Sequence, residues 1–179
     1  MKYSLFLDDD RSPGQIARVT YPDNVGWTIV RNFADFIGKI SKSESAPQYV
    51  SLDHDLCTEH YNRYLVACSS GYYNYEGLSI KTGLDALKWL IRYCDVLKKP
   101  MPKVFIHSLN EFGARNMQQM LDDYMRGILP GSNLAYSRKN PQSGIIRVSS
   151  ADITGPIKQV QTLQKPKPKK IVEFARFEA

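Results

Sequence analysis

The sequence has 179 residues, of which 42% are hydrophobic, and it carries a formal net charge of +6. This length suits one globular domain with an added tail, and the positive charge favours anionic partners such as phosphate groups or nucleic acid. The sequence has no run of about 18 apolar residues and no signal-peptide pattern at its start, so we expect a cytoplasmic protein without a membrane partner.

The first part of the chain predicts three strands and one helix. The short apolar and aromatic runs "YSLFL", "WTIVR" and "YVSL" are typical of buried strands. Asn32 is predicted to cap a helix over "FADFIGKISK", whose large apolar residues fall on one stripe.

Residues 57–80 interrupt this order. They are polar and aromatic, with "SSGYYNYEG" at their centre, and show no regular periodicity. This composition predicts an inserted loop or lid of a length that usually signals function or disorder. His60, within the insertion, is predicted to be exposed.

Helix and strand signals return after the insertion. Thr82 is predicted to cap a helix over "GLDALKWLIRYCDVL", "KVFIH" predicts a fourth strand, and residues 111–126 predict an amphipathic helix. Strands that alternate with helices in this way indicate an α/β fold, with a parallel sheet covered by helices on both faces.

The pattern changes from residue 127. Turn signals surround one strand candidate, "GIIRV", and the basic segment "KPKPKK" at 165–170 predicts an extended, solvated linker because alternating prolines block a helix. A weak electrostatic contact with nucleic acid is compatible with this linker. We therefore expect an α/β domain over 1–126, with the inserted loop at 57–80, and a C-terminal extension over 127–179.

Polar side chains follow three of the predicted strands at their carboxyl ends, where parallel sheets bind ligands. If the strands are neighbours, these side chains meet at one rim, and crowded carboxylates need a cation or a proton between them. Carboxylate ligands predict a hard divalent metal such as Mg²⁺ or Mn²⁺. The side chains are Asp8, Asp9 and Asp10 after the first strand, Asp53, His54 and Asp55 after the third, and His107, Ser108 and Asn110 after the fourth.

Each cluster alone also has a structural interpretation. An acidic triplet after a strand often forms a solvated turn, a histidine between two acids can be structural, and Ser108 could cap the next helix. The functional interpretation therefore depends on the convergence of the three clusters.

Five segments, in this order, resemble the cyclic-phosphate-processing receiver-like domain family over about residues 3–125. The most specific are the SLDHDL and HS-x-N-x₂-G-x₂-NM motifs. This family is similar to response-regulator receivers, so the resemblance implies a receiver-like, flavodoxin-like fold. The segments are "LFLDDDRSP", "GWTIVRNFADF", "VSLDHDL", "KTGLDALKWL" and "FIHSLNEFGARNM".

The resemblance also implies roles for matching residues. Asp8 and Asp9 match the acidic pair that holds Mg²⁺ in receivers, and Asp53 falls at the position of the phosphoacceptor aspartate. Ser108 falls at the position of the serine or threonine that contacts the phosphoryl group. The residues that belong to the family's own pattern, and that ordinary receivers lack, are His54, Asp55, His107 and Asn110.

The leading hypothesis is a metal-dependent phosphoesterase that acts on a cyclic phosphate of a nucleotide or RNA end. The metal would polarise the phosphoryl oxygens, and His107 would act as general acid or base because an imidazole titrates near neutral pH. His54 would be a ligand or a second proton-transfer group, and Asp53 would take part in catalysis. The predicted metal ligands are Asp8, Asp9, Asp53 and Asp55; the predicted phosphate-binding residues are Arg11, Ser108, Asn110 and Arg31.

Two other functions stay open. The same rim could capture a cyclic nucleotide or phosphorylated ligand without turnover, with the tyrosine-rich insertion and the basic tail serving recognition by stacking and charge. A phosphorylation-dependent receiver is less favoured, because the lysine after a fifth receiver strand has no clear match. Lys139 and Lys158 lie in the right half of the chain, but neither follows a convincing strand.

Overall fold

A computed structural model describes residues 3–128 of the chain. Within them, four parallel strands pair in the order β2-β1-β3-β4. This is the flavodoxin-like order, in which strands are added on one side of β1 and then, from β3 onward, on the other side. The predicted receiver-like α/β fold with a parallel sheet is therefore confirmed. The strands are β1 (Ser4–Leu7), β2 (Trp27–Val30), β3 (Tyr49–Leu52) and β4 (Lys103–Ile106).

Four α-helices accompany the sheet in the described part of the chain, and three of them match the prediction. As predicted, Asn32 caps the first helix and Thr82 caps the third, each by accepting a backbone N–H three residues on. No helix between residues 3 and 128 has both the length and the apolar character needed to cross a membrane. The helices are α1 (Phe33–Ser41), α2 (Thr58–Ser70), α3 (Gly83–Val96) and α4 (Glu111–Met125).

The hydrophobic core lies between one face of the sheet and the helices α1, α3 and α4. Alternate residues of each strand point to this face, and those of β1 and β3 are fully buried. Helix α3 packs against both α1 and α4, which fixes the N-terminal ends of α3 and α4 beside the ends of the strands. Strand residues in the core are Leu5, Leu7, Val30, Val50 and Leu52.

The opposite face of the sheet, which was also predicted to be covered by helices, carries instead a cluster of aromatic rings in the described part of the chain. Phe6 contacts the rings of Tyr21 and Trp27 edge to face, and Phe105 contacts the same two rings. The ring of His107 stacks on Phe6, with 4.4 Å between centroids and 13° between planes. This packing holds the His107 ring in one orientation below the rim.

The prediction of an irregular loop was wrong over residues 58–70, which form α2. The helix buries only His60 and Ala67, so its sequence shows no apolar stripe from which a helix could be predicted. Gly71 ends the helix in the left-handed conformation, with φ at 81°, as glycine commonly does.

The prediction that His60 is exposed was also wrong, since its side chain is fully buried. His60 Nδ1 accepts the backbone N–H of Leu56 at 2.9 Å, so Nε2 carries the proton and donates to the carbonyl of Ile80 at 2.9 Å. The Tyr73 hydroxyl donates to the His60 carbonyl at 3.2 Å. Burial lowers the pKa of His60, and the neutral ring ties both ends of the insertion together.

Residues 129–179 lie outside the part of the chain that the structure describes. They make up almost all of the predicted C-terminal extension, including "GIIRV", the basic segment, Lys139 and Lys158. The division of the chain at residue 126 therefore stays a prediction.

Helix α3 begins in direct contact with the backbone that follows β3. The N–H of Gly83 donates to the carbonyl of His54 at 2.9 Å. A Cβ atom at Gly83 would lie 1.7 Å from the carbonyl oxygen of Asp53, a distance that no side chain can occupy. Glycine at this position therefore allows the close contact between the helix and the strand end.

We predict that Gly83→Ala lowers the free energy of unfolding by about 1–3 kcal/mol, because the helix must move away from the Asp53 carbonyl. The matched control is Gly38→Ala in α1, where an added Cβ meets no atom within 4 Å. This control should raise the free energy of unfolding by about 0.5–1 kcal/mol. Urea denaturation measures both, and effects of the same sign would contradict the close contact at Gly83.

Candidate metal and phosphate site

A pocket of about 300 Å³ opens at the carboxyl ends of β1, β3 and β4. It lies where the strand order reverses, the usual ligand site of open α/β sheets. The neighbouring strands bring the three predicted clusters together, since the residues after β1, β3 and β4 all contribute to the lining. The lining residues are Asp8, Asp9, Asp10, Arg11, Asp53, Asp55, Cys57, Thr58, Tyr61, Tyr64, Ser108, Leu109 and Asn110.

Three carboxylates converge in this pocket. One oxygen each of Asp8, Asp9 and Asp53 lie within 4.8 Å of one another. Asp8 and Asp53 are buried, whereas Asp9 is exposed. Charges of the same sign at this distance repel strongly unless a cation or a proton lies between them.

The guanidinium of Arg11 lies between two of these carboxylates. Its Nε donates to Asp8 Oδ2 and its Nη2 donates to Asp53 Oδ2, each at 2.8 Å. The side chain of Arg11 keeps 23% of its surface exposed, so it borders the pocket instead of filling the core. Arg11 therefore supplies one positive charge to the cluster from an accessible position.

Asp8 is the most heavily hydrogen-bonded of the three carboxylates. Its Oδ1 accepts the backbone N–H groups of Asp10 and Arg11, and its Oδ2 accepts from Arg11 Nε and His107 Nε2. Burial opposes ionisation, but these hydrogen bonds outweigh it and lower the pKa of the Asp8 carboxyl to about 2. Asp8 is thus a permanent negative charge in the pocket.

The pKa of Asp9 is shifted in the opposite direction from that of Asp8. Partial desolvation by the neighbouring protein atoms, followed by the charges of Asp8 and Asp53, raises the pKa of Asp9 to about 6 although part of its side chain reaches solvent. The positive charge of Arg11 is therefore insufficient for three ionised carboxylates, and the pocket favours one more cation or one proton.

His107 lies below the pocket and does not line it. Its side chain is fully buried, and its Nε2 is 3.2 Å from Asp8 Oδ2. A neutral ring that donates to Asp8 accepts at Nδ1 from Ser51 Oγ, 2.7 Å away, and Ser51 Oγ accepts from the Tyr21 hydroxyl at 2.8 Å. This chain of hydrogen bonds fixes the orientation of the Asp8 carboxylate from beneath.

His54 is likewise fully buried, behind Asp55. His54 Nδ1 donates to Asp55 Oδ1 at 2.6 Å, and the Tyr75 hydroxyl lies 3.0 Å from His54 Nε2. Asn110 Nδ2 donates to the same Asp55 oxygen at 2.9 Å. A Cβ at Gly113 would lie 2.2 Å from the His54 ring, so the glycine of α4 makes room for this histidine.

Of the predicted phosphate-binding residues, Arg11, Ser108 and Asn110 line the pocket and Arg31 does not. Asn110 also caps α4, since its Oδ1 accepts the N–H of Gly113 at 2.9 Å. Arg31 Nη1 donates to the carbonyls of Asp8 and Arg11, at 3.0 Å and 2.7 Å, and so braces the loop after β1. A phosphate role for Arg31 stays a prediction.

A family model described as the cyclic-phosphate processing receiver domain matches residues 3–123. The chain belongs to this family. The match includes all the residues of the pocket and of the hydrogen bonds beneath it, so the family's domain and the described site coincide. No curated protein and no solved structure matches the chain.

For this receiver domain, sequence reasoning missed several residues around the site. Ser51 carried a signal, because a serine inside a buried strand needs a hydrogen-bond partner. Tyr61 and Tyr64 follow Thr58 at helical spacing, and this signal became visible only once α2 was known. Leu109 carried no signal, because one apolar residue in a loop is ordinary.

The donor set fits a hard divalent metal. Carboxylate oxygens are the ligands that Mg²⁺ and Mn²⁺ prefer, and the raised pKa of Asp9 shows that the pocket favours further positive charge. Asp55, which was predicted as a fourth ligand, lies outside the group of three convergent carboxylates and is held by His54 and Asn110. Its role as a ligand stays a prediction.

We predict that Asp9→Asn stabilises the metal-free protein at pH 7. The folded state holds the Asp9 proton up to about pH 6, whereas the unfolded chain releases it near pH 4, so ionised Asp9 costs stability above that range. Because Asp9 is solvent-exposed, screening reduces the expected gain in the free energy of unfolding to about 1 kcal/mol.

The control is Asp10→Asn, which makes the same chemical change at a pocket residue outside the cluster. Denaturation with a chelator present, at pH 7 and at pH 4, should show a gain for Asp9→Asn that disappears at pH 4. An equal gain for both variants would indicate a general charge effect and would contradict the local repulsion.

Proposed function

We propose that this receiver domain is a metal-dependent phosphoesterase that opens the cyclic phosphate of a nucleotide or of an RNA end. The observation that carries the proposal is the convergence of the Asp8, Asp9 and Asp53 carboxylates in an open pocket of a cyclic-phosphate processing domain. A phosphodiester is an anion and would be repelled by these carboxylates, so its binding there requires a cation between them.

Asp8, Asp9 and Asp53 would hold Mg²⁺ or Mn²⁺. When bound, such a metal polarises the phosphoryl oxygens and lowers the pKa of a bound water. Since the oxygens of Asp8 already accept four hydrogen bonds, two of them from Arg11, metal binding would compete with this arginine. The released guanidinium of Arg11, together with Ser108, would then hold the phosphate.

Asp55 is the proposed proton acceptor of the reaction. Hydrolysis joins a water oxygen to phosphorus and breaks one of the two ring P–O bonds; the attacking water loses one proton, and the ribose oxygen that leaves takes up one proton from the solvent. Asp55 lines the pocket, and His54 and Asn110 hold one of its oxygens from behind. We assign the uptake of the water proton to Asp55, and we assign the orientation of the Asp55 carboxylate to His54.

His107 is better placed to position Asp8 than to touch the phosphate. Both of its ring nitrogens lie within hydrogen-bond distance of protein atoms, and its side chain is fully buried. Proton transfer by His107, as expected from the sequence, stays a prediction.

One observation favours a binding module as the second candidate function. All three histidines of the chain, His54, His60 and His107, are fully buried, and none of them lines the pocket. A domain that only captures a cyclic nucleotide needs no accessible imidazole.

We predict that the domain, with Mn²⁺ present, converts adenosine 2′,3′-cyclic monophosphate to a monoester. Asp53→Asn should lower the rate at least 100-fold because it removes a carboxylate of the metal cluster, and Asp10→Asn should stay within a few-fold of the wild type. Chromatographic product analysis measures both. Tight binding without product would favour the binding module, and absence of both binding and product would contradict both functions.

We predict that His107→Asn weakens Mn²⁺ binding about tenfold, because Asp8 loses its orientation, while kcat at saturating metal stays within a few-fold of the wild type. Calorimetry and rate measurements between pH 5 and 9 separate the two roles. A loss of about 10²- to 10⁴-fold in kcat, together with loss of the neutral-range pH dependence, would show that His107 transfers the proton.

A further inference from the structure

Two tyrosines of α2 form one wall of the acidic pocket. Tyr61 and Tyr64 are one helical turn apart and follow Thr58 by the same spacing, so the three residues lie on one stripe that faces the pocket. Tyr61 is 53% exposed, so an apolar ring reaches solvent beside a site rich in carboxylates. The metal and phosphate chemistry of the pocket uses neither ring.

The aromatic wall continues beyond the pocket. The rings of Tyr61 and Tyr64 are 6.4 Å apart, and Tyr64 contacts Phe112 of α4 edge to face at 6.5 Å. The guanidinium of Arg115 lies 6.0 Å from the Phe112 ring. Tyr64 is therefore held by packing, whereas Tyr61 presents its ring to solvent at the mouth of the pocket.

The helix that carries this wall is fixed to the domain. The buried His60 ring joins α2 to the backbone of Leu56 and Ile80, and the Tyr73 hydroxyl binds the His60 carbonyl. Across the pocket, Leu109 in the loop before α4 exposes 62% of its surface. The mouth of the pocket is thus flanked by a fixed aromatic surface and an apolar side chain.

We propose that Tyr61, supported by Tyr64, stacks against the base of the nucleotide whose phosphate lies at the carboxylate cluster. A base presents a flat apolar face attached through a ribose to the phosphate, and exposed aromatic rings bind such faces with little sequence preference. This role rests on the proposed function and adds to it the residue that recognises the base, so that a cyclic phosphate without a base should bind more weakly.

The test compares two cyclic phosphates in the presence of Mn²⁺: adenosine 2′,3′-cyclic monophosphate, and glycerol 1,2-cyclic phosphate, which has no base. Affinity is measured as Kd by calorimetry if the ester stays intact, and as KM if it is hydrolysed. The variants are Tyr61→Ala, the conservative Tyr61→Phe, and Tyr72→Ala. Tyr72 is a suitable control because it is 49% exposed and lies in a separate groove along α2.

Tyr61→Ala should weaken the affinity for the adenosine compound about 5- to 150-fold, the range that loss of one stacked base implies. Tyr61→Phe should restore it, Tyr72→Ala should leave it unchanged, and kcat should change little. The affinity for glycerol 1,2-cyclic phosphate should be the same in all variants.

Equal affinity of Tyr61→Ala and the wild type for the adenosine compound would overturn the stacking proposal and leave the proposed function intact. An equal loss of affinity for both compounds would also overturn it, because the tyrosine would then support the site and not the base. If the wild type binds neither compound, both proposals fail.

Discussion

The carboxylates of Asp8, Asp9 and Asp53, which follow two adjacent parallel strands, repel one another, and the surrounding residues partly neutralise this repulsion. Arg11 contributes a positive charge to Asp8 and Asp53, and His107 binds Asp8 from beneath. The pKa of Asp9, raised to about 6, shows that the compensation is incomplete. Under the proposed function, a divalent cation completes this compensation and allows an anion such as a phosphate to bind.

The SLDHDL and HS-x-N-x₂-G-x₂-NM segments of this chain hold the pocket in place. The DHD sequence places Asp53 in the cluster and Asp55 on the pocket wall, with His54 between them in the interior. The motif after β4 supplies Asn110, which caps α4 and binds Asp55, and Gly113, which leaves space for the His54 ring. In this chain His54 and His107 thus hold Asp55 and Asp8 from the interior, and these carboxylates line the pocket.

The strands, three helices and the convergence of three polar clusters could be predicted because short apolar runs alternate with amphipathic helices, and parallel strands end on one side of a sheet. Helix α2 could not be predicted from the sequence, because it is buried against the domain through His60 and Ala67 and has no apolar stripe. The inward position of His107 follows from strand alternation, which puts it on the same face as Phe105, beneath the rim. The hydrogen-bond partners of the site residues, such as Arg11 with Asp53 and His107 with Asp8, could be identified only from the tertiary structure.

The most direct test of a metal-dependent phosphate site is anomalous diffraction from a crystal grown with Mn²⁺ and adenosine 2′,3′-cyclic monophosphate. The account predicts one manganese peak among the oxygens of Asp8, Asp9 and Asp53, with Arg11 turned from Asp8 toward the phosphate. Absence of a peak there, with Arg11 still bridging Asp8 and Asp53, would contradict it.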